Sequence, residues 1–206
     1  TCALPISVSA PLSPAQQARV ARLPFVRGIA PVRRYRLPAL SGEHCDELPG
    51  ASTYRRQLSM LGLDQLHEQQ LTGEGITIAV FDNGFYRVDS LTAFAHLFEQ
   101  QRLLGSYDFV DGDKDVFNTC SHCRHGTQVL SVLAANLPGQ LTGAAPGANY
   151  LLLRTEDDAS ETHQEEDNWI AAAEFADSAG AQVFTTSLGY RDFDAGQGDY
   201  LPSHLD

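Results

Sequence analysis

Residues 75–84 read GITIAVFDNG, and this stretch decides the fold. Its first seven residues form a β-branched and apolar run that is too continuous for a half-exposed strand and too short for a helix. The run therefore predicts a central parallel strand over 75–81, with Asp82 at its carboxyl end. In an open α/β sheet, ligands and catalytic side chains gather at the carboxyl ends of the strands, because helices cover both faces. Gly84 allows a sharp turn there, and Asn83 tolerates the same turn.

A second motif, His125-Gly126-Thr127, opens a segment with helical periodicity. The segment places five apolar residues on one predicted face: Val129, Leu130, Val132, Leu133 and Leu137. His125 lies in the first turn, where the helix dipole favours the neutral imidazole that can accept a proton. Gly126 has no side chain, and we predict that this lets a substrate approach the backbone closely beside His125. Since a carboxylate on the other ring nitrogen would fix the tautomer, the two motifs predict a contact between Asp82 and His125.

Two more motifs follow in chain order, GAAPGA over 143–148 and VFTTSLG over 183–189. Together with the Asp-Xaa-Gly strand end and the His-Gly-Thr helix, they resemble the subtilisin-like serine proteases, whose triad follows the order Asp, His, Ser. The resemblance covers roughly residues 58–190. It implies an α/β fold with a doubly wound, mostly parallel sheet.

The resemblance also implies site residues. Asp82 would orient the imidazole, and His125 would be the general base of a serine endopeptidase. A peptide or protein substrate would pair with the open backbone of Ser187, Leu188 and Gly189 through main-chain hydrogen bonds.

The sequence departs from the family pattern in two ways. Asn83 stands where the family usually has Thr or Ser, a change that we expect to affect the turn more than the chemistry. Neither Gly-Thr-Ser nor Gly-Xaa-Ser-Xaa-Gly occurs in the 206 residues. We therefore expect a chain truncated before the last strands and the nucleophile helix, and inactive by itself. The alternative is a non-catalytic peptide-binding module; a haloacid-type phosphatase would need a carboxylate where Gly84 stands.

Composition shifts divide the chain into four predicted segments. They are an adapter-like or disordered start over 1–7, a remnant of an inhibitory pro-segment over 8–37, a linker over 38–52, and the N-terminal part of a subtilisin-like catalytic domain over 53–206. The pro-segment assignment comes from the resemblance, which implies that the chain's own pro-segment is a partner of the catalytic domain. A basic solvated extension is the alternative.

Charged residues are distributed unevenly along the chain. Residues 1–60 carry eight Arg against three acidic residues, whereas residues 61–206 carry six basic against 23 acidic residues. The two parts should therefore attract each other. In the basic part, we predict a helix over 13–23 that begins at Ser13-Pro14, followed by a strand over 25–32.

Three more elements are predicted in the acidic part of the chain. They are a helix over 59–69, a strand over 150–154 and a helix over 165–179. The last of these should bury Trp169, Ile170, Ala173 and Phe175.

The composition excludes two classes of partner. A net charge of −12 argues against nucleic acid. No apolar run reaches the roughly 18 residues that a membrane span needs. The resemblance implies a secreted or periplasmic protein.

Two clusters invite a metal, although the implied reaction requires no cofactor. Cys120 and Cys123 have zinc-like spacing, but a second cysteine pair is absent, so a loop disulfide or free thiols are favoured. The acidic residues over 108–115 are compatible with calcium, which many subtilisin-like proteases bind. Because the EF-hand pattern fails at Val116 and His122, solvated loop carboxylates are preferred, and no metal ligand is assigned.

Overall fold

The computed structural model describes residues 13–24, 26, 28–29, 53–119, 123–196 and 198–201. The chain divides into two compact units, Thr1–Glu47 and Leu48–Asp206, and the division falls inside the predicted linker over 38–52. That linker and the predicted start over 1–7 lie outside the described residues. The bounds of the four segments therefore stay predictions.

The described residues form six helices, one 3₁₀ turn and six strands. The helices are α1 (Pro14–Val20), α2 (Thr53–Met60), α3 (Leu63–Glu68), α4 (Ala95–Glu99), α5 (His125–Ala134) and α6 (Gln164–Ser178), and the 3₁₀ turn is Thr92–Phe94. The strands are β1 (Thr77–Asp82), β2 (Leu103–Asp108), β3 (Asn136–Leu137), β4 (Leu141–Thr142), β5 (Asn149–Arg154) and β6 (Val183–Thr186).

The main sheet is parallel and has the strand order β2-β5-β1-β6. Strand β1 is central, and all six of its residues are buried, as a continuous apolar run requires. The predicted central strand is therefore confirmed, beginning at Thr77 and including Asp82. Asp82 pairs in register with Arg154 of β5, so the carboxyl ends of these strands share one edge.

Helices cover both faces of this sheet. On one face, which we call the α5 face, Leu130 and Ala134 pack into a core with the β1 residue Val80. On the opposite α6 face, Ala172 and Ala176 pack against the next β1 residue, Phe81, and its neighbours. Successive residues of a strand point to opposite faces, so β1 supplies both cores. The predicted α/β fold with a mostly parallel sheet is confirmed.

Helix α1 has the predicted cap. The Ser13 side chain accepts the Gln16 N–H, and the Gln16 side chain accepts the Ser13 N–H, which forms a capping box. The helix ends at Val20, before the predicted limit of 23.

The predicted strand over 25–32 is wrong at the residues that are described, 26 and 28–29, since none of them lies in a strand. The Val26 N–H instead donates to the Leu23 carbonyl, which closes a turn at the end of the helical segment. The other residues of this prediction lie outside the described residues.

The helix predicted over 59–69 is in fact two helices. Gly62 has φ of 71°, a left-handed conformation that separates α2 from α3. Helix α5 begins at His125 as predicted but ends at Ala134, and its Val132 is 59% exposed rather than buried. Leu130 carries the buried face of this helix.

Helix α6 lies close to the predicted range, but its buried residues differ. Ile170 and Phe175 are exposed, while Trp169 and Ala173 are half-buried. The buried apolar residues of α6 are Ala172 and Ala176. Their small side chains let the helix approach the sheet closely. Within the part of the chain that the structure describes, no helix is long and apolar enough to cross a bilayer.

Candidate active site

Asp82 is the last residue of β1, and its side chain is fully buried at the sheet edge. One carboxylate oxygen, Oδ1, accepts the Asn83 N–H at 2.9 Å. The other oxygen, Oδ2, is buried and has no hydrogen-bond partner among the described residues. A charged group in this position requires a strong partner.

His125, the first residue of α5, supplies that partner. Its Nδ1 lies 2.7 Å from Asp82 Oδ1, across 43 positions of sequence. The contact that the sequence predicts between these two residues is therefore present. Because an ionised carboxylate only accepts hydrogen bonds, the contact assigns the proton to Nδ1 and leaves Nε2 as the basic nitrogen.

The two side chains differ sharply in exposure. The Asp82 side chain is 0% exposed, whereas the His125 side chain is 47% exposed. Burial raises the pKa of Asp82 above its ordinary value, and the hydrogen bonds from His125 and Asn83 oppose that rise. The pair thus joins a fixed buried carboxylate to an imidazole that a reactant can reach, which suits general-base chemistry.

Gly126 has a different role from the predicted one. A Cβ at this position would lie 2.3 Å from the Gly84 carbonyl oxygen and 2.9 Å from Asp82 Cβ. The glycine therefore lets the first turn of α5 pack directly on the end of β1. The expectation that Gly126 makes room for a substrate is replaced by this packing role.

Asn83 is a residue of the site whose importance the sequence did not reveal. Its Oδ1 accepts the Gly126 N–H at 3.3 Å, and its Nδ2 donates to Asp158 Oδ1 at 2.7 Å. This side chain links the end of β1 to the first turn of α5 and to the loop after β5. The only sequence signal was its departure from the family pattern.

One of the acidic residues before the helix, Asp108, is buried in an ion pair. Asp108 is buried and accepts from Arg154 Nη1 at 2.7 Å, and Asp111 accepts from the same nitrogen at 2.7 Å. Arg154 Nε also donates to the Asn83 carbonyl at 3.1 Å. The preference for solvated carboxylates is therefore wrong at Asp108, which is buried against the guanidinium at the end of β5. Asp111, Asp113 and Asp115 are exposed, as that preference predicts, although Asp111 also pairs with Arg154.

A second group of acidic residues spans the loop between β5 and α6 and the first turn of α6. Glu156 accepts from the Tyr190 hydroxyl at 2.5 Å, and burial raises its pKa. Glu165 is buried and accepts the N–H groups of Asp157 and Thr162, and burial raises its pKa to about 7. This loop adjoins the site through Asp158.

Ser187, Leu188 and Gly189 follow the carboxyl end of β6, beyond its last strand residue. Thr186 pairs in register with Phe81, so the tripeptide begins beside Asp82 at the sheet edge. Ser187 and Gly189 are exposed and Leu188 is half-buried. The structure brings the predicted substrate-binding residues and the Asp82–His125 pair to one edge, while the binding role stays a prediction.

The sequence singled out one cluster for a metal and one pair of thiols. Among the described residues, no cluster of three or more His, Cys, Asp or Glu side chains is arranged to hold a metal ion. Cys123 is buried and disulfide-bonded, in agreement with one of the two states that the sequence favours. Residues 120–122 lie outside the described residues.

Comparison with known proteins identifies a protein family that matches this chain. The model of the subtilase family, Peptidase S8, matches residues 73–203, which include both motifs of the site. Serine protease AprX of Bacillus subtilis (strain 168) is 31% identical over 83 residues, or 40% of this chain and 17% of AprX.

Two solved structures are similar to this chain at lower identity. The MycP3 protease from the type VII (ESX-3) secretion system is 21% identical with a TM-score of 0.50, over 72% of this chain and 39% of MycP3. The CspB protease of Clostridium perfringens is 19% identical with a TM-score of 0.44, over 64% of this chain and 33% of CspB. The chain thus spans less than half the length of each of these three relatives.

Proposed function

The chain belongs to the subtilase family, and on that premise we propose that it provides the acid–base pair of a serine endopeptidase. One observation carries the proposal: the buried Asp82 carboxylate holds Nδ1 of a half-exposed His125 at 2.7 Å. In this arrangement Nε2 accepts the proton of a serine hydroxyl as that oxygen attacks a peptide carbonyl. Asp82 keeps the tautomer and stabilises the imidazolium that forms.

The proposed nucleophile is a serine outside these 206 residues, since no Gly-Thr-Ser or Gly-Xaa-Ser-Xaa-Gly motif occurs in them. An acyl-enzyme would form on that serine and be hydrolysed by water. By itself the 206-residue chain is expected to be inactive. The mechanism requires no cofactor, and calcium binding by the acidic loop stays a prediction.

Ser187, Leu188 and Gly189 are proposed to pair with the main chain of the peptide substrate. Their position directly after β6, at the sheet edge that holds Asp82, supports this role. The loop after β5 carries Glu156 and Asp158 next to this edge, so we expect basic or neutral side chains in the part of the peptide that lies along the tripeptide. A cleavage profile with acidic residues in that part would contradict this preference.

The compartment and the pro-segment are also proposals. A disulfide at Cys123 supports a secreted or periplasmic protein, because disulfides persist in oxidising compartments. Residues 8–37 are proposed to be the end of an inhibitory pro-segment. Added as a separate peptide, residues 8–37 should slow casein hydrolysis by the mature enzyme, whereas a scrambled peptide of equal charge should not.

The test of the catalytic proposal is casein hydrolysis by the protein expressed from its own gene. Asp82→Asn should lower kcat by about 10⁴-fold, because the imidazole takes the wrong tautomer. Asp177→Asn is the matched control: this carboxylate is exposed near the end of α6, far along the helix from the site. Equal kcat for casein hydrolysis by Asp82→Asn and by Asp177→Asn would contradict the proposal.

A non-catalytic peptide-binding module is the second candidate, favoured by the missing serine motif. The same casein assay separates the two candidates. Hydrolysis that depends on His125 supports the enzyme, whereas peptide binding without hydrolysis in the protein from its own gene supports the module.

A further inference from the structure

A surface pocket of about 330 Å³ lies beside His125 and takes no part in the proposed proton transfer. The loop after β1 and the first turn of α5 line this arginine pocket, through Tyr86, Arg87, Leu91, Arg124, Thr127 and Gln128. Two of the six carry a guanidinium, and none carries a carboxylate. Arg124 directly precedes His125, so the pocket adjoins the catalytic imidazole.

Direct contacts hold the walls of the arginine pocket together. The Thr127 hydroxyl donates to the Tyr86 carbonyl at 2.9 Å, which ties α5 to the loop after β1. The Arg124 guanidinium lies 5.6 Å from the centre of the Tyr86 ring, within cation–π range. The pocket is therefore a defined feature of the fold, with one cation placed over an aromatic wall.

Arg87 has an unusual backbone. Its φ is 61°, in the left-handed region that glycine and asparagine favour. Gln70 and Gln101 share this conformation, with φ of 63° and 54°, but each follows a helix end, where it is common. Arg87 follows no helix. It lies instead in a turn, where its carbonyl accepts the N–H groups of Ser90 and Leu91, and this turn fixes the position of Arg87 in the pocket wall.

Groups of opposite charge lie near the Asp82–His125 pair: the pocket contributes Arg87 and Arg124, and the loop after β5 contributes carboxylates. Among the described residues, no acidic group forms an ion pair with Arg87, although Asp89 is exposed two positions further on. By contrast, Asn83 binds Asp158, and the loop after β5 is acidic. A peptide bound beside His125 is thus near both the carboxylates of that loop and the guanidinium groups of the arginine pocket.

We propose that the arginine pocket, which adjoins His125 through Arg124, binds an acidic side chain of the polypeptide substrate. A guanidinium binds a carboxylate through two parallel hydrogen bonds. Leu91 and the Tyr86 ring offer apolar surface to the methylene groups of a glutamate. The inference rests on the proposed function for the path of the peptide, and it names the substrate side chain that this half of the site selects.

The test measures binding by the 206-residue chain, so it does not depend on hydrolysis. The probes are two blocked hexapeptides, Ac-AAAEAA-NH₂ and Ac-AAAQAA-NH₂, titrated at low salt while NMR follows the Nε–Hε signals of Arg87 and Arg124. The glutamate peptide should bind about fivefold more tightly than the glutamine peptide and shift both signals. Added salt should reduce that preference.

Variants assign the preference to the pocket. Arg87→Gln and Arg124→Gln should each weaken the preference for glutamate, while Arg191→Gln, which removes an exposed guanidinium elsewhere, should leave it intact. Arg87→Glu should prefer the matching lysine peptide. Because the two pocket residues are tested separately, misfolding of one variant still leaves the other.

Several outcomes would overturn the inference: equal affinity for the two peptides, a preference that survives both glutamine variants, or no shift at the two arginine signals. Equal affinity with shifts at His125 would reject the arginine pocket but leave the proposed protease site standing. A glutamate preference that maps to the pocket, in a protein whose own gene product does not hydrolyse casein, would retain the pocket and reject catalysis.

Discussion

Replacing Gly126 with alanine should separate the two halves of the candidate site. The new Cβ would lie 2.3 Å from the Gly84 carbonyl oxygen, whereas ordinary contacts begin at 3.4 Å, so the backbone must move apart by about 1.1 Å. Neither atom belongs to a flexible side chain. The 2.7 Å contact between Asp82 and His125 spans the same junction and should lengthen with it.

The expected cost is worked from that clash. Overpacking of a close-packed core costs about 1–3 kcal/mol, and a clash with backbone belongs at the upper end, so Gly126→Ala should lose about 3 kcal/mol of unfolding free energy. In the catalytically competent protein, a displacement of about 1 Å should also lower kcat by about 100-fold.

Urea unfolding followed by the fluorescence of the single tryptophan measures the first effect. Trp169 lies 5.6 Å from the ring of Phe81 in β1, so its signal reports the packing of the central strand. Gly105→Ala is the matched control, because its Cβ would meet only Leu151 Cδ2 at an ordinary 3.6 Å. The control should gain about 0.5–1 kcal/mol. Equal midpoints for Gly126→Ala and the wild type would refute the packing argument.

Three further predictions follow from the same edge of the sheet. Arg154→Leu leaves the Asp108 carboxylate buried and unpaired, which should cost about 3–5 kcal/mol in urea unfolding, whereas the exposed Arg191→Leu should change it by less than about 1 kcal/mol. The folded-state pKa of Glu165, about 7, exceeds its unfolded value of 4.5. The folded state therefore binds more protons between these values, and stability should fall as pH rises from about 4.5 to 7; Glu165→Gln should flatten that slope in urea titrations at several pH values. Asn83→Ala removes the side-chain links to α5 and to the loop after β5, and should cost about 1 kcal/mol in unfolding free energy; no change would show that neither link is stabilising.

Local pattern predicted the parts of the site that lie within single elements. The apolar run before Asp82 predicted a buried strand, and the periodicity after His125 predicted a helix that begins there. The strand-end rule placed Asp82 at the open edge of the sheet, and the triad pattern predicted its contact with His125. The family resemblance added the expected partners at Ser187–Gly189.

Contacts between residues that are distant in sequence were not predicted, for a physical reason. Asn83 and Asp158 are 75 positions apart, and Arg154 and Asp108 are 46 apart, so neither pairing leaves a periodic signal. The role of Gly126 was misjudged because a missing Cβ reads the same in sequence whether it admits a ligand or a neighbouring backbone. Only the folded structure, in which the first turn of α5 packs on the end of β1, distinguishes the two roles of Gly126.

Arg154 joins three strand ends through one side chain. It extends from β5, binds Asp108 at the end of β2, and donates to the Asn83 carbonyl just after β1. Fraying of any one strand would have to break this shared attachment, so the three ends should open together as one cooperative unit. The rates of amide hydrogen–deuterium exchange near the three strand ends should therefore rise or fall together. The sheet edge that supports the imidazole would then open as a whole and not one strand at a time.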